Sequence, residues 1–470
     1  MLAGPAGAGQ ARDDSGWYAI LAGNGDWIGH GSRTGMPAGS GRETFETQQV
    51  WLDDGGSGAR RVVEETRTRF DARGVPVSIA RTVRTGTRVT LRMTARFEAG
   101  VAVITRESGA DRQVIRVPLP AGVRFDGGSG LIARWDRARD PALSFAAFNL
   151  DAMAVERVTI EPIPGPAAPG GGFTALRKRY EGGELRGVAR LVIGADGRIL
   201  ESHQPMFGTS VTIAPATREE AMKSRPPYRL VTNAMVKSPY RIPPAAMSGH
   251  IRYRFGFTDG IVFAPPETGE QRVTMAGGSL TLDICGDCGP GLASDPAALA
   301  AALRPTPWLQ SDHPRIRAIA APFARMKISD MRKMELLLEE ARPYIRKVSF
   351  VGHFSALETI RRQSGDCTEA AVLLAALARA AGIPAKVANG LAYSRARYHG
   401  VSNAFMPHSW VLAWADGRWR SFDLALEAFD SAHIVLTVGD GDARSIAAAN
   451  QLASLLRWET MSEVRSVPAR

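Results

Sequence analysis

The stretch SGDCTEAA, which begins at residue 364, most constrains the fold of this chain because it opens a long helix with a cysteine in its first turn. Asp366 has a side chain suited to capping a helix, and Glu369 stands three residues later, as a capping box requires. The residues that follow are mostly apolar and are strong helix formers. Gly382, with a proline two residues on, then ends the pattern. The sequence therefore predicts a mostly buried helix over Cys367–Ala381.

Cys367 occupies a position where negative charge is stabilised. Unpaired N–H groups and the positive end of the helix dipole both lie at a helix start. We therefore expect the thiol to ionise readily to the thiolate, which is the form that attacks carbonyl groups. Taken alone, a cysteine at this place is more typical of a small buried apolar residue.

A candidate base follows in the segment HSWVLAWADGRWRSFD, which begins with His408. Its Asp416-Gly417 dipeptide lies between two apolar runs and predicts a two-residue type I′ turn. With that turn, Asp423 is the diagonal neighbour of His408 on one face of the sheet, within reach of a hydrogen bond. Alone, either residue is typical of a structural group. Together with Cys367 they predict a nucleophile, a base and an orienting carboxylate.

Three motifs in this order resemble the core of bacterial transglutaminase-like proteins: GDCTEAAVLLAALARAAGIPAKVANGLAY, HSWVLAWADGRWRSFDLAL and DSAHI. The resemblance covers residues 310–440. It implies an α+β fold with a papain-like core, in which the cysteine-bearing helix packs on an antiparallel sheet. It also implies a catalytic triad at Cys367, His408 and Asp423. Within DSAHI, His433 matches a recurring feature of these proteins and is a candidate for a residue behind the triad, although a buried structural histidine is the alternative.

Two other side chains are candidates near this site. The Cys367 backbone N–H is a natural first donor of an oxyanion hole, and Gln363 is the nearest upstream side chain that could add a second. A solvated loop glutamine is the alternative for Gln363. Trp410 shares one face of the hairpin with Trp414 and Trp419, so we expect it to form core or cleft wall. There it could also shield a thiolate–imidazolium pair from water.

Cys285 and Cys288 form a lone CxxC pair within CGDCG. A closed zinc site needs four ligands, so a metal would have to recruit histidines from elsewhere in the chain. A thioredoxin-like role needs the motif at a helix start in a βαβ unit, which this β-rich context lacks. We therefore expect a local disulfide, ahead of a metal site, if the protein is exported.

Upstream of the core, short alternating runs separated by glycine-bearing turns predict antiparallel β-rich domains. A chain of 470 residues is long enough for several domains with buried cores. The predicted divisions are an antiparallel β-rich N-terminal domain at 15–222, a small β-sandwich-like domain with the CxxC pair at 226–290, the catalytic core at 291–445, and a C-terminal helix and tail at 446–470.

Charge and hydropathy limit the kinds of partner that are expected for this chain. The formal net charge is +11, but the basic residues are mostly arginines spread along the chain, which favours a solvated surface over a nucleic-acid partner. No apolar run reaches the ~18–20 residues of a membrane span, so no integral membrane segment is expected. The N-terminal MLAGPAGAGQARDD resembles the tail of a signal peptide, which favours an exported, periplasmic protein over a cytoplasmic one.

These features predict a cysteine-dependent acyl-transfer enzyme that acts on amide bonds of proteins or peptides through a thioester. Release to water makes a protease or amidase, and release to an amine makes a transglutaminase; hydrolysis is slightly favoured because many bacterial members look like hydrolases. The alternative is a non-catalytic binding or assembly module with a vestigial triad, in which the N-terminal β domains contact protein partners. No calcium-binding loop is evident, so no cofactor is expected.

Overall fold

The computed structural model of the chain describes residues 16–53, 59–109, 111–164, 170–206, 209–229, 235–238, 240–348, 353–395, 401–426 and 428–464. The signal-peptide-like N-terminus lies outside these residues. The chain divides into two compact units, Met1–Val231 and Thr232–Arg470. The finer division into four domains stays a prediction. Within the described residues, no helix has the length and apolar character needed to cross a membrane.

The first unit is built on one long sheet, which confirms the predicted β-rich N-terminal region. Its strands run antiparallel in the order β8-β7-β6-β5-β4-β3-β2-β1-β14-β13-β12-β11-β10-β9, and β15 pairs in parallel with β3. The strands are β1 (Gly16–Ala22), β2 (Trp27–Ala38), β3 (Gly41–Asp53), β4 (Ala59–Phe70), β5 (Pro76–Thr85), β6 (Arg88–Glu98), β7 (Val101–Ser108), β8 (Asp111–Pro118), β9 (Leu143–Asn149), β10 (Ala154–Pro162), β11 (Phe173–Glu181), β12 (Glu184–Ile193), β13 (Ile199–Met206), β14 (Thr209–Ala216) and β15 (Tyr228–Arg229).

Alternation of side chains along these strands puts apolar residues on one face, where they form the core. Ile20, Ile104, Ile160 and Leu191 are each fully buried in this way. The described residues of this unit also form two short helices, α1 (Ser129–Ile132) and α2 (Arg218–Met222).

The second unit contains two main sheets and the remaining helices of the described residues. Its strands are β16 (Val236–Lys237), β17 (Ile251–Phe257), β18 (Gln271–Ala276), β19 (Ser279–Ile284), β20 (Lys347–Val348), β21 (Ser364–Gly365), β22 (Ala385–Ser394), β23 (Ala404–Ala415), β24 (Arg418–Phe422), β25 (His433–Gly439) and β26 (Leu456–Glu463). Its helices are α3 (Pro244–Met247), α4 (Pro296–Ala301), α5 (Pro314–Arg325), α6 (Asp330–Ala341), α7 (Ala356–Arg362), α8 (Cys367–Ala380) and α9 (Ala443–Leu455), with single 3₁₀ turns at Thr258–Gly260 and Arg342–Tyr344.

A four-stranded sheet, in the order β18-β19-β17-β26, stands where a small β-sandwich was predicted. Three of its strands come from the predicted region 226–290, and the fourth comes from the segment predicted to be a C-terminal tail. Aromatic side chains explain the pairing, since the ring of Trp458 on β26 lies 4.7 Å from that of Phe255 on β17. A contact between residues so far apart in the chain has no local sequence signal.

The other main sheet has the order β16-β23-β22-β25, with β24 paired to β23. The predicted hairpin is confirmed, because Ala415 pairs with Arg418 across a two-residue turn. Both turn residues have positive φ, 50° at Asp416 and 83° at Gly417, as a type I′ turn requires.

Helix α8 packs on this sheet and lies at the centre of a large apolar cluster among the described residues of the unit. Apolar residues surround the helix on all sides, which is typical of a helix buried in a core. The predicted capping box is present at its start, and Gly382 follows its end with φ 88°. The predicted α+β fold, with a helix on an antiparallel sheet preceded by a β-rich region, is therefore confirmed.

Candidate active site

The start of α8 is held by a network of backbone and carboxylate groups. Asp366 accepts the N–H of Thr368 at 2.8 Å, while Glu369 accepts the N–H of Asp366 at 3.0 Å. The other oxygen of Glu369 accepts the N–H of Phe354 at 3.0 Å, so this buried carboxyl also ties the segment before α7 to the start of α8. Cys367 is the first residue of α8, and these bonds fix its backbone.

The surroundings of the Cys367 sulfur differ from the sequence-based expectation. Loss of water around the sulfur raises the pKa of the thiol well above its usual value, and the carboxyl groups of Asp366, Asp423 and Glu369 add to that rise. The backbone N–H of Ser409 donates to the sulfur and opposes the rise without cancelling it. The expectation of a readily ionised thiol is therefore wrong for the resting site, because burial and nearby carboxyl groups outweigh the helix start.

The predicted contact between the hairpin histidine and the carboxylate is present. The Nε2 atom of His408 lies 2.6 Å from Oδ2 of Asp423, and both side chains are buried. The Ser409 N–H that reaches the Cys367 sulfur belongs to the residue next to His408. Since Nε2 of His408 faces Asp423, Nδ1 is the nitrogen left for proton exchange with another group.

Asp423 is shared between two histidines. Its Oδ2 lies 2.6 Å from His408 Nε2 and 3.0 Å from His433 Nε2, and its Oδ1 accepts the backbone N–H groups of Ala425 and Leu426. Burial alone would raise the pKa of Asp423. The charges and hydrogen bonds of the two histidines outweigh burial and hold the pKa of this carboxyl well below its usual range. Asp423 is therefore ionised over the whole neutral range of pH.

His433 lies between two carboxylates and is 1% exposed. Its Nδ1 is 2.9 Å from Oδ1 of Asp430, and its Nε2 is bonded to Asp423. Burial disfavours the charged imidazole, but the hydrogen bonds to Asp423 and Asp430 outweigh burial and raise the pKa of His433 to about 9. The residues Asp430, His433, Asp423 and His408 thus form one continuous hydrogen-bonded chain.

Trp410 covers this chain from one side. Its ring lies 6.0 Å from that of His408 with the planes at 22°, and it meets the His433 ring edge to face at 5.1 Å. The indole N–H donates to the hydroxyl of Ser421 at 3.2 Å. Trp410 is 1% exposed, so the expected role as core or cleft wall agrees with its position. Trp414 and Trp419 pack against each other farther along the hairpin.

Sequence reasoning missed a buried carboxyl that supports Trp410. Glu270 accepts the backbone N–H of Ser421 at 2.8 Å, and its second oxygen lies 3.2 Å from the Ser421 hydroxyl. The neighbouring Gln271 bonds both backbone groups of Val435 on β25. Nothing near Glu270 in the sequence marks this role. Asp430 had a signal, because it stands three residues before His433 in DSAHI.

Gln363 ends helix α7 in a left-handed conformation, with φ 52°. Its backbone carbonyl accepts the N–H of Lys347 at 3.2 Å, which holds the loop before Cys367. The role of its side chain as an oxyanion donor stays a prediction.

Two groups of side chains in the described residues have the ligand types and spacing of metal sites. In the first, ligand atoms of His408, Asp423 and His433 lie within 4.8 Å of one another, but these atoms already satisfy each other by hydrogen bonds. The second group includes Cys285 and Cys288, which form the predicted disulfide with Cα atoms 5.2 Å apart.

Comparison with known proteins places a family match on this part of the chain. Residues 317–424 match the model of the transglutaminase-like superfamily. The match spans the α8 helix and the hairpin with Cys367, His408 and Asp423, and it confirms the predicted transglutaminase-like core. Among curated proteins, none is similar enough to count as a match.

Three solved structures are similar to parts of the chain. A β-barrel-like protein of a domain of unknown function from Brucella abortus has 14% identity and a TM-score of 0.33, covering 43% of this chain and 96% of its own. A putative cysteine protease from Cytophaga hutchinsonii has 17% identity and a TM-score of 0.27, with 46% and 84% covered. The periplasmic domain of TgpA from Pseudomonas aeruginosa, bound to ethylmercury, has 16% identity and a TM-score of 0.29, with 41% and 89% covered.

Proposed function

We propose, on the premise that residues 317–424 form a transglutaminase-like domain, that the chain is a cysteine-dependent acyl-transfer enzyme acting on amide bonds. The observation that carries the proposal is the buried His408–Asp423 pair at 2.6 Å, whose neighbour Ser409 donates its N–H to the Cys367 sulfur. A nucleophile, a base and an orienting carboxylate in this arrangement are the components of a catalytic triad.

The first chemical step is attack of the Cys367 sulfur on an amide carbonyl carbon. Because the resting thiol has a raised pKa, its proton passes to Nδ1 of His408 as the sulfur attacks, rather than beforehand. The backbone N–H of Cys367, at the start of α8, donates to the developing oxyanion. The protonated His408 then returns the proton to the leaving amine, and a thioester remains on Cys367.

Asp423 acts on His408 in two ways. Its bond to Nε2 keeps the tautomer in which Nδ1 can accept a proton, and its negative charge stabilises the imidazolium that follows. The positive His433 on the same oxygen keeps Asp423 ionised and oriented. Trp410 lies nearly parallel to the His408 ring and edge to face with the His433 ring, where it keeps water away from this charge transfer.

The thioester is released either to water or to an amine, and we place hydrolysis slightly ahead of cross-linking. The substrate class is a protein or peptide, with the β-rich first unit as a surface for protein partners. A disulfide at Cys285–Cys288 agrees with an exported, periplasmic location, since disulfides persist in oxidising compartments.

The experiment that tests this function is incubation of the wild-type protein with mixed glutamine-containing peptides and a primary amine, followed by mass spectrometry. Hydrolysis cleaves a peptide or converts an amide to an acid, whereas cross-linking adds the mass of the amine. Cys367→Ala should abolish every product. Cys285→Ala/Cys288→Ala, in which Cys367 is the remaining cysteine, is the matched control and should stay active.

Trapping of the thioester separates the enzyme from a binding module. A peptide thioester on Cys367, released by hydroxylamine and absent in Cys367→Ala, supports the proposal. Products that persist in Cys367→Ala would contradict it. The absence of both acyl-enzyme and product across the substrate panel would favour the non-catalytic module with a vestigial triad.

A further inference from the structure

The CxxC pair lies beside a histidine on the neighbouring strand. Cys285 follows the end of β19, and His250 precedes the start of β17. These strands are paired so that Ile251 faces Ile284, which places His250 opposite Cys285. One ring nitrogen of His250 and the sulfur atoms of Cys285 and Cys288 all lie within 4.8 Å of one another.

The loop that bears the two cysteines is held by backbone bonds that do not depend on the disulfide. The N–H of Cys285 donates to the carbonyl of Glu270, and the N–H of Gly289 donates to that of Gly269, each at 3.1 Å. The Arg272 side chain donates to the carbonyl of Cys288 at 2.9 Å. These bonds hold the backbone of both cysteines without using the S–S bond.

Asp283 binds His250 in the way that carboxylates commonly bind metal-ligating histidines. Its Oδ1 lies 2.8 Å from Nε2 of His250, and Arg252 binds the same carboxylate. In metal sites, the second ring nitrogen of a ligating histidine commonly donates to a carboxylate, which fixes the ring and its tautomer. With Nε2 held in this way, Nδ1 is the nitrogen that would bind a metal.

We propose that the disulfide and a zinc ion are alternative states of this site: a dithiol reductant opens Cys285–Cys288, and the two thiolates with His250 then bind Zn²⁺. In the reduction, the dithiol supplies two electrons and two protons, the S–S bond breaks into two thiols, and the reductant becomes a disulfide. Zinc then displaces the two thiol protons, and the neutral imidazole donates its lone pair. The fourth position goes to water or to the carboxylate of Asp287, whose Oδ1 lies 3.6 Å from the Cys285 sulfur, since His250 and Arg252 already engage Asp283.

The donor set selects zinc among common metals. Thiolate and imidazole ligands suit Zn²⁺, whereas Ca²⁺ and Mg²⁺ require oxygen ligands. The charges also balance, because two thiolates neutralise the ion, and Asp283 is paired with Arg252. All three ligand residues are partly exposed, so a reductant and a metal ion can reach them.

The test uses the full chain with Cys367→Ala, so that Cys285 and Cys288 are its remaining cysteines. The protein is reduced with a phosphine, freed of reductant without air, and titrated with zinc chloride against a chromophoric chelator; a parallel sample receives Co²⁺. We expect one zinc ion per reduced chain, a thiolate-to-cobalt charge-transfer band, and binding at least about 100-fold weaker in the oxidised protein.

Single substitutions in the same background identify the ligands. Cys285→Ser should remove the cobalt charge-transfer band and stoichiometric binding. His250→Ala should weaken zinc at least tenfold, and Asp283→Asn about 10- to 100-fold through the orientation of the ring. The matched control is His203→Ala, because His203 also pairs with a carboxylate, Glu201, but has no cysteine partners in the described residues; it should bind zinc like the parent.

Equal affinity in the reduced and oxidised proteins would overturn the proposal, as would full affinity in His250→Ala or no zinc uptake by the reduced parent. Far-ultraviolet circular dichroism shows whether each variant is folded. If His250→Ala is misfolded, the cobalt spectrum of the reduced parent decides the matter, since its charge-transfer and ligand-field bands report thiolate ligation and coordination geometry directly.

Discussion

His433 should remain protonated well above the pH at which a free imidazole loses its proton. Both of its ring nitrogens lie near carboxylate oxygens, 2.9 Å from Asp430 and 3.0 Å from Asp423. The rise in pKa from 6.5 to about 9 corresponds to about 3 kcal/mol in favour of the charged form. Because the folded pKa is above the unfolded one, this stabilisation is fully present below pH about 6.5 and is lost as the pH rises through about 9.

Asp430→Asn removes one of the two charged partners of His433. A hydrogen bond to a charged group contributes about 1.5–3 kcal/mol, which equals about 1–2 pKa units. We therefore expect the pKa of His433 to fall to about 7–8 in this variant, and its charge to be lost in the neutral range. The Asp423 carboxylate would then no longer have a positively charged imidazole at His433 beside it.

The assay is nuclear magnetic resonance of protein with isotopically labelled histidine rings, titrated from pH 5 to 10. The chain has eight histidines, and His433→Gln identifies the signal of interest by removing it. The control is Asp440→Asn, which changes a carboxylate just past the far end of β25 that pairs with Arg379 and should leave the His433 titration unchanged. A wild-type signal that titrates between pH 6 and 7 would refute the reasoning, and so would a titration that Asp430→Asn does not move.

Three further outcomes are expected. Asp423→Asn loses a charge-assisted bond to the His408 imidazolium and should slow single-turnover acylation about 10- to 150-fold. The control Asp416→Asn, in the exposed turn, should match wild type. Equal acylation rates in the two variants would show that Asp423 is not part of the triad. Ser421→Ala deprives the Trp410 N–H of its acceptor and should lower the unfolding free energy of the second unit by about 1–3 kcal/mol, measured by urea denaturation. Iodoacetamide should label Cys367 slowly at pH 7 and faster as the pH rises above 9, and rapid labelling at pH 7 by mass spectrometry would contradict the raised pKa.

The parts of the site that the sequence predicted are those with local rules. Asp366 and Glu369 marked the start of α8, and the Asp416-Gly417 dipeptide determined the hairpin register. The register of the hairpin determines which side chains share a face of the sheet. The hydrogen bond between His408 and Asp423 was therefore predictable from a turn that begins eight residues after His408. Periodicity and turn chemistry operate within a few residues, which is why they can be seen in one sequence.

The parts that were missed depend on contacts between distant segments. Glu270 reaches Ser421 across 151 residues, and β26 completes a sheet whose other strands lie about two hundred residues earlier. Such pairings depend on the packing of whole surfaces, so no short sequence pattern predicts them. The neighbourhood of His250 and the CxxC pair is of the same kind, because a strand pairing creates it.

The ionisation of Cys367 shows why a rule based on neighbouring residues alone can predict the wrong direction for a pKa shift. A helix start favours a thiolate by a modest amount, about 0.3–1 kcal/mol at an exposed site. Loss of water around the sulfur opposes the thiolate more strongly than the helix start favours it, and carboxyl groups at Asp366 and Asp423 add repulsion. The same carboxylate that disfavours a lone thiolate favours the imidazolium of His408. In the proposed acyl transfer, the site would thus stabilise the thiolate–imidazolium charge pair better than either charge alone, with the proton moving as the substrate arrives.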